Sequence, residues 1–541
     1  MLHAKKYASM LKAEFKGYDG KKFGKDLLAG ITVAAVALPL ALAFGVSSGA
    51  SAASGMITAV IAGFIISALS GASYQISGPT GAMTAILVSL VAQYKLQGVF
   101  IACFISGIIL LLAGFLRLGT LVSFIPVPVI TGFTSGIAII IALGQINNLT
   151  GLKSEGLTTL EKLASYFKIQ QELNLTALLI GLFVIAFMFL YPKKWGKYCP
   201  SSLAAIIIAT AANMIFNFPV SNVGAIPKTI FLDQRLNFSD INFEQIKSLI
   251  LPSISIAALG LIESLLCGAC AGRMKNEKLD ADQELIAQGI GNMIIPFFGG
   301  VSATAAIART SVAIKSGGIT RLTGIIHAVV LLLSMFVLGG VMSAIPLSAL
   351  AGVLIVTAWR MNEWHMINEI FSKKIKTAIS QFLITMAATV VFDLTIAIAI
   401  GVLFSIVMFV VKVSDMQITI SDVDPQKFKD NTEYSEKHKK TCVVYLSGPL
   451  YFGTSGKLEE AISQINEKNT LILSMRGVTM ADISGVKALE ELCEKLSEQN
   501  ISVYFTCVQP NVMKMFERCG MTENIGKDMF FWSTDKALAS I

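Results

Sequence analysis

From about residue 26 to residue 412 the chain is a near-continuous series of apolar stretches, each close to the length that crosses a bilayer, separated by short polar loops. Nothing constrains the fold more. A chain of 541 residues that is 54% hydrophobic and only 14% charged cannot hide its apolar side chains in one soluble core. Soluble domains carry about 25% charged residues. The expected architecture is a polytopic α-helical membrane protein with about 14 spans. They fall near 26–46, 50–70, 79–94, 98–116, 121–144, 174–191, 199–217, 250–272, 283–298, 302–315, 320–340, 344–359, 376–392 and 393–413. Residues 1–25 are polar and basic, and 414–437 read as a linker. Residues 438–541 have the composition of a soluble domain. Lys5, Lys6, Lys12, Lys16, Lys21, Lys22 and Lys25 precede the first apolar run, and no cleavage-site pattern follows it, which argues against a signal peptide.

Charge placement gives an orientation. Basic residues follow the even-numbered spans: Arg117; Lys193, Lys194 and Lys197; Arg273, Lys275 and Lys278; Lys315 and Arg321; Arg360, Lys373, Lys374 and Lys376. The opposite loops, 145–173 and 218–249, are longer and nearly charge-balanced. Positive loops stay inside, so both termini and the soluble domain are expected in the cytoplasm, with the spans in the cell membrane. The halves also resemble each other. Ser123-Phe-Ile-Pro126 is echoed by Ser343-Ala-Ile-Pro346, an offset of 220 residues, and the same offset carries Thr80 to Gly300. Repeat one would cover about 26–217 and repeat two about 250–413. An odd number of spans per half inverts the second repeat.

Two segments interrupt the apolar pattern in matching places, Ile76-Ser-Gly78-Pro79-Thr80-Gly81-Ala82-Met-Thr84 and Phe298-Gly-Gly-Val-Ser302-Ala303-Thr304 to Arg309. Paired breaks of this kind point to a transporter's substrate site. Gly78, Gly81, Gly299 and Gly300 permit the breaks. Two helices starting in mid-membrane would aim their free N–H groups at an anion. Thr80, Gly81, Ala82, Ser302, Ala303 and Thr304 are the candidate donors, with Thr84 nearby, and small residues packing between helices are the alternative. Arg309, two to three turns past its break, would add positive field, or else snorkel to the surface. Pro39 is expected to break the first span and place Phe44 at the site. Glu263, near the middle of its span, is a natural coupling group, because burial in an apolar medium favours the protonated form of a carboxyl. A fixed ion pair with Arg309 is the alternative. Asp393 reads as a helix-end residue.

Eight cysteines are scattered, and Cys267-x-x-Cys270 lies inside an apolar helix, where small reduced side chains fit better than a metal pair. His3, His327, His365 and His438 are dispersed. No nucleophile–base set, phosphate loop, cofactor motif or nucleic-acid signature is evident, so an enzyme is not expected. In the soluble part, strands at 441–446, 470–475 and 501–507 alternate with helices at 457–468, 485–498 and 512–518, which implies an α/β layer with a partly parallel sheet. Asp482 or Ser484 would cap the helix at Gly485. The alternative is phosphorylation, or contact with a nucleotide or protein partner, at that helix start.

The motifs Ala37-Leu-Pro39-Leu-Ala-Leu-Ala-Phe-Gly45, Gln75-Ile-Ser-Gly-Pro79-Thr-Gly81, Gly260-Leu-Ile-Glu263-Ser-Leu-Leu, Gln283-Glu-Leu-Ile-Ala-Gln-Gly-Ile-Gly-Asn292 and Pro296-Phe-Phe-Gly-Gly300 resemble the SulP family of anion transporters, the prokaryotic relatives of the SLC26 transporters. The C-terminal part resembles a STAS domain, with Asp482-Ile-Ser484-Gly485 where anti-sigma antagonists carry a phosphorylatable loop. The resemblance implies a seven-plus-seven inverted repeat. In it a core of spans 1–4 and 8–11 moves against a gate of spans 5–7 and 12–14, with substrate between the starts of spans 3 and 10. It also implies a homodimer and a substrate among bicarbonate, sulfate, chloride and C4-dicarboxylates. The motifs look most like the sodium–bicarbonate branch, whose members tend to present Asp with Thr four residues on. Here Glu263 and Cys267 stand instead, so a hard oxygen ligand is missing and H⁺ is favoured over Na⁺ as the coupling cation. The expected function is coupled import of bicarbonate or sulfate. An uncoupled channel, an anion exchanger, a dicarboxylate transporter and a membrane-anchored signalling module are the alternatives.

Overall fold

The computed structural model describes the chain except residues 1, 121–124, 153, 155–158, 167–171, 193, 198, 238–242, 393, 414–415, 425–435, 452–454, 464 and 466. Asp393, the Ser123-Phe124 pair of the repeat motif and part of the expected linker therefore lie outside the described residues. The chain forms two compact units, Met1–Ser405 and Ile406–Ile541.

The first unit is helical. Its elements are α1 (Leu2–Glu14), α2 (Gly20–Ser47), α3 (Ala52–Leu69), α4 (Gly81–Phe115), α5 (Val127–Gly144), α6 (Ile146–Thr150), α7 (Thr159–Tyr166), α8 (Leu175–Leu190) and α9 (Ser201–Phe216). They continue with α10 (Phe243–Lys275), α11 (Ala281–Ile294), α12 (Ile307–Lys315), α13 (Leu322–Ser343), α14 (Leu347–Met361), α15 (Trp364–Ser372) and α16 (Lys376–Val391), and α17 (Leu394–Val413) runs past Ser405 into the second unit. Among the described residues, 6 helices are long and apolar enough to cross a membrane, and several shorter apolar helices accompany them. The helix starts follow local chemistry. Asp19, Ser51, Thr80, Asn174 and Asp280 cap helices with their side chains. Pro126, Pro200 and Pro346 stand just before α5, α9 and α14. Pro126 and Pro346, 220 residues apart, thus do the same job in the two halves.

One expectation changes here. Helix α2 runs through Pro39 without interruption. Surrounding helices can absorb one lost backbone bond at that depth. Helix α4 is divided instead at Lys95, which has φ 58, and this separates the third and fourth apolar stretches.

The helices form two groups. Helices α2, α3, α4, α10, α11, α12 and α13 pack together, and α5, α8, α9, α14 and α16 pack together. Inside the first group the backbone leaves the helical state twice and crosses itself: β1 (Ser77–Gly78) pairs antiparallel with β2 (Thr304–Ala305). An open backbone in an apolar interior needs a partner for each N–H and C=O. The N–H of Val301 bonds Thr58 Oγ1 at 2.8 Å, and that of Ala303 bonds Asn292 Oδ1 at 2.8 Å. The N–H of Ala305 reaches Ser264 Oγ at 3.3 Å, and that of Ile76 reaches Thr310 Oγ1 at 3.1 Å. The crossing thus exists because four side chains from four other helical turns satisfy it.

Tight backbone approach supports the same core. A Cβ on Gly55 would lie 2.0 Å from the carbonyl oxygen of Ala41 and 2.8 Å from Gly45 Cα. Backbone cannot yield as a flexible side chain does, so Gly55→Ala forces α2 and α3 apart. Overpacking of this kind costs roughly 1–3 kcal/mol or more. A lowered thermal midpoint of the purified variant by fluorescence-detected size exclusion is the expected result. An unchanged midpoint would show that the helices separate freely.

The second unit carries one sheet in the order β3-β4-β5-β6-β7. Strands β3 (Gln417–Asp422) and β4 (Thr441–Ser447) are antiparallel, and β4, β5 (Thr470–Gly477), β6 (Ser502–Thr506) and β7 (Phe530–Phe531) run parallel. Five of its helices are α19 (Ser455–Ser463), α20 (Ile483–Glu498), α21 (Pro510–Arg518), α22 (Met521–Ile525) and α23 (Thr534–Ser540), with the single turn α18 (Glu436–Lys439) before β4. Val444, Leu473, Phe505, Val486, Leu489 and Phe516 share the core. Strand β3 lies inside the segment expected to be a linker. Most of its residues are exposed, so its composition does not separate it from a polar connector. Burial pushes the Cys493 thiol up to about 12, so it stays protonated and inert.

Candidate anion site and coupling carboxylate

Helix α4 starts at the β crossing, and Thr80 is its cap, extended at φ −128 and ψ 161. Its Oγ1 accepts the N–H of Met83 at 3.4 Å and donates to Glu263 Oε2 at 2.9 Å. One hydroxyl therefore joins the start of α4 to the carboxylate on α10. Pro79 stands before the cap rather than in the first turn, and its carbonyl oxygen accepts Arg309 Nη2 at 3.0 Å.

Arg309 sits in the first turn of α12, closer to the break than its spacing from Gly299-Gly300 suggests. Residues 302–306 are extended, so the helix begins only at Ile307. The guanidinium is 1% exposed, yet its Nε and Nη1 have no hydrogen-bond partner. Gly78 makes room for it, since a Cβ there would lie 2.6 Å from Nη1. None of the three nitrogens bonds Glu263, so the two charged residues do not form the fixed pair.

Ser302, Ala303 and Thr304 are buried with their polar groups engaged. Ser302 Oγ donates to Asn292 Oδ1 at 2.8 Å, the Ala303 N–H uses the same oxygen, and Thr304 Oγ1 pairs with Ser264 Oγ at 2.8 Å. The start of α12 at Ala306, Ile307, Ala308 and Arg309 lines the open cavity instead. The cap equivalent to Thr80 is thus Ala306, which has no side-chain capping bond. The internal register slips by six residues relative to the offset that holds at Pro126 and Pro346.

The cavity has a volume of about 1000 Å³. Phe44, Thr80, Gly81, Glu263 and Arg309 line it together with Lys315, Arg360 and Glu363, which are exposed. Ala82 is buried behind it, and Thr84 Oγ1 bonds back to the Thr80 carbonyl at 2.8 Å. Cys267 donates to Thr310 Oγ1 at 3.5 Å rather than joining Glu263. In the second unit, Asp482 is the residue that caps α20, accepting the Gly485 N–H at 2.7 Å, and Ser484 is exposed in the first turn. Thr58, Ser264, Gln288, Asn292 and Thr310 were not singled out as site residues. Their signal was present as polar side chains at regular helical spacing in apolar runs, but such residues have no assigned partner until the chain is folded.

Two helices that start beside a β crossing and line one large cavity define a membrane transport protein. The chain belongs to the sulfate permease family, whose model matches residues 23–388, and it carries a STAS domain at residues 434–537. It is 36% identical over 534 residues to the putative sulfate transporter YvdB of Bacillus subtilis, covering 96% of this chain and 97% of that one. It is 29% identical over 536 residues to the bicarbonate transporter BicA of Picosynechococcus, covering 95% and 94%. The solved transmembrane domain of a cyanobacterial BicA aligns with a TM-score of 0.64 at 28% identity, covering 72% of this chain and 98% of that one. Murine Slc26a9 in its inward-facing state shares the fold, with a TM-score of 0.82 at 18% identity over 97% and 92% of the two chains.

Proposed function

We propose that this protein carries a small oxyanion, sulfate or bicarbonate, across the cell membrane by alternating access, with proton binding at Glu263 as the coupling step. The observation that carries the reading is Arg309. A buried guanidinium with two unused donors, facing a cavity, calls for an anion. The N–H groups in the first turns of α4 and α12 add partial positive charge on either side of the same point. Sulfate and bicarbonate are the substrates named for the relatives.

Glu263 lines the same cavity. Ionised, it repels an incoming anion; protonated, it does not. Anion and proton then bind and leave together, and the Thr80 hydroxyl can serve either form because it can donate or accept. Sodium is less well supported. Among the described residues, Thr80 Oγ1 is the one oxygen that bonds the Glu263 carboxylate, since Cys267 turns to Thr310 and Ser264 to Thr304. With the basic loops cytoplasmic, the open cavity faces inward. The decisive experiment is uptake of radiolabelled sulfate and bicarbonate into proteoliposomes, with pH and Na⁺ gradients imposed separately. Uptake driven by an inward proton gradient is expected. Uptake that needs only a counter-anion would make the protein an exchanger, and no uptake of either anion would refute the reading.

Phe44 lines both the large cavity and a second, smaller one of about 70 Å³, which Ser47, Thr84, Val88 and Gln145 also line. Gln145 Nε2 donates to Ser47 Oγ at 3.0 Å, joining α2 to the C-terminal end of α5. This bond must break for the protein to open there. Hydrogen bonds of this kind contribute about 1 kcal/mol, so Gln145→Ala should raise the population opened at that end roughly fivefold. Faster labelling of Val88→Cys by an impermeant maleimide added outside is the expected readout. An unaltered rate would remove Gln145 from the gate.

A further inference from the structure

Helix α15 lies between two apolar helices, α14 ending at Met361 and α16 starting at Lys376. The sequence reads both neighbours as spans, and a nine-residue helix joining two spans lies at the bilayer surface. Its composition suits that place. Trp359, Trp364, Phe371 and Ile375 are 53%, 45%, 40% and 49% exposed. The two indoles pack against each other at a tilt of 39° with centroids 4.4 Å apart, and Trp364 Nε1 donates to the Trp359 carbonyl at 3.0 Å. Trp364 and Phe371, seven residues apart, share a helix face, while Ile370 is buried. Phe371 packs edge-on against Phe382 of α16, with centroids 5.7 Å apart.

The charges follow the same edge. Lys373 pairs with Glu369 within the helix. Lys374, at φ 51, turns the chain sharply into α16. Lys374 and Lys376 are exposed, and among the described residues neither forms an ion pair. Free lysines beside exposed aromatic rings form the pattern of helices that sit among anionic headgroups, with rings at the acyl boundary and ammonium groups on phosphate.

We propose that α15 is an interfacial helix whose Trp364–Phe371–Ile375 edge lies in the bilayer surface and whose Lys374 and Lys376 bind anionic phospholipid headgroups. The helix packs on α5 and α16, both in the group opposite the β crossing. Lipid held there therefore fixes that group in the membrane while the crossing group moves.

The test uses the full-length protein, with retained lipid measured by native mass spectrometry after exposure to phosphatidylglycerol or phosphatidylcholine. The natural protein should retain phosphatidylglycerol preferentially. The double variant Lys374→Gln, Lys376→Gln should lose roughly tenfold to thirtyfold in that affinity, and the double Arg variant should keep it. Sulfate or bicarbonate uptake by the Gln variant in pure phosphatidylcholine vesicles should match the natural protein, showing that it is folded. Equal retention of both lipids by the natural protein, or undiminished phosphatidylglycerol retention by the Gln variant, would overturn the proposal and leave the aromatic edge to a protein contact.

Discussion

Replacing Arg309 with glutamine is expected to abolish anion uptake without lowering the stability of the protein. The guanidinium is 1% exposed, and only Nη2 is spoken for, by the Pro79 carbonyl. A buried charge without a partner charge costs free energy in the empty protein. Glutamine removes that cost and still offers an amide donor. The thermal midpoint of Arg309→Gln should therefore equal or exceed that of the natural protein. Uptake should fall steeply, because each hydrogen bond to a charged group contributes about 1.5–3 kcal/mol. Losing two such donors at the anion weakens binding by roughly a hundredfold or more. Arg309→Lys keeps the charge and loses the planar fork, so it should retain partial activity with weakened affinity. A glutamine variant that transports normally would place the anion elsewhere. One that is inactive only because it unfolds would make Arg309 structural.

Glu263→Gln is expected to separate anion movement from proton movement. The amide oxygen can still accept from the Thr80 hydroxyl, which stands 2.9 Å from the carboxylate, so the start of α4 should stay in place. The amide cannot change charge. For one proton per anion, a gradient of one pH unit supplies about 1.4 kcal/mol, enough for roughly tenfold accumulation. The natural protein should approach that value and the variant should show none, while anion-for-anion exchange continues. Raising the pH on both sides should slow net uptake by the natural protein, because fewer molecules carry the proton, and should leave the variant unaffected. If the natural protein ignores a pH gradient and follows Na⁺, the proton assignment to Glu263 is wrong, whatever the variant does.

Much of this site was legible before folding because the bilayer makes unusual residues conspicuous. Glycine-rich breaks, one arginine and one glutamate inside apolar stretches stand out at any span boundary; Thr80 and Gly81 of the first break line the cavity with Glu263 and Arg309, while Gly299 and Gly300 of the second do not. Asp482 and Gly485 were likewise readable as a helix start, since a cap acts across three residues. The donors on the second break were placed too early. Ser302, Ala303 and Thr304 carry suitable groups, but Asn292 and Ser264 take them. The cavity instead receives the bare start of α12.

The amino-acid sequence alone determined that the chain belongs in a membrane, that glycine-rich breaks precede two of its helices, which ionisable residues are too costly to be incidental, and that an α/β domain follows. Those properties depend on hydropathy, charge and turn chemistry, which act over a few residues. Only the tertiary structure decided which polar groups are spent on holding the crossing and which remain for a ligand. That division rests on hydrogen bonds between residues far apart in the chain, such as Thr58 with Val301 and Thr80 with Glu263. In an apolar interior each donor must be matched locally in space, and no one-dimensional pattern says with whom.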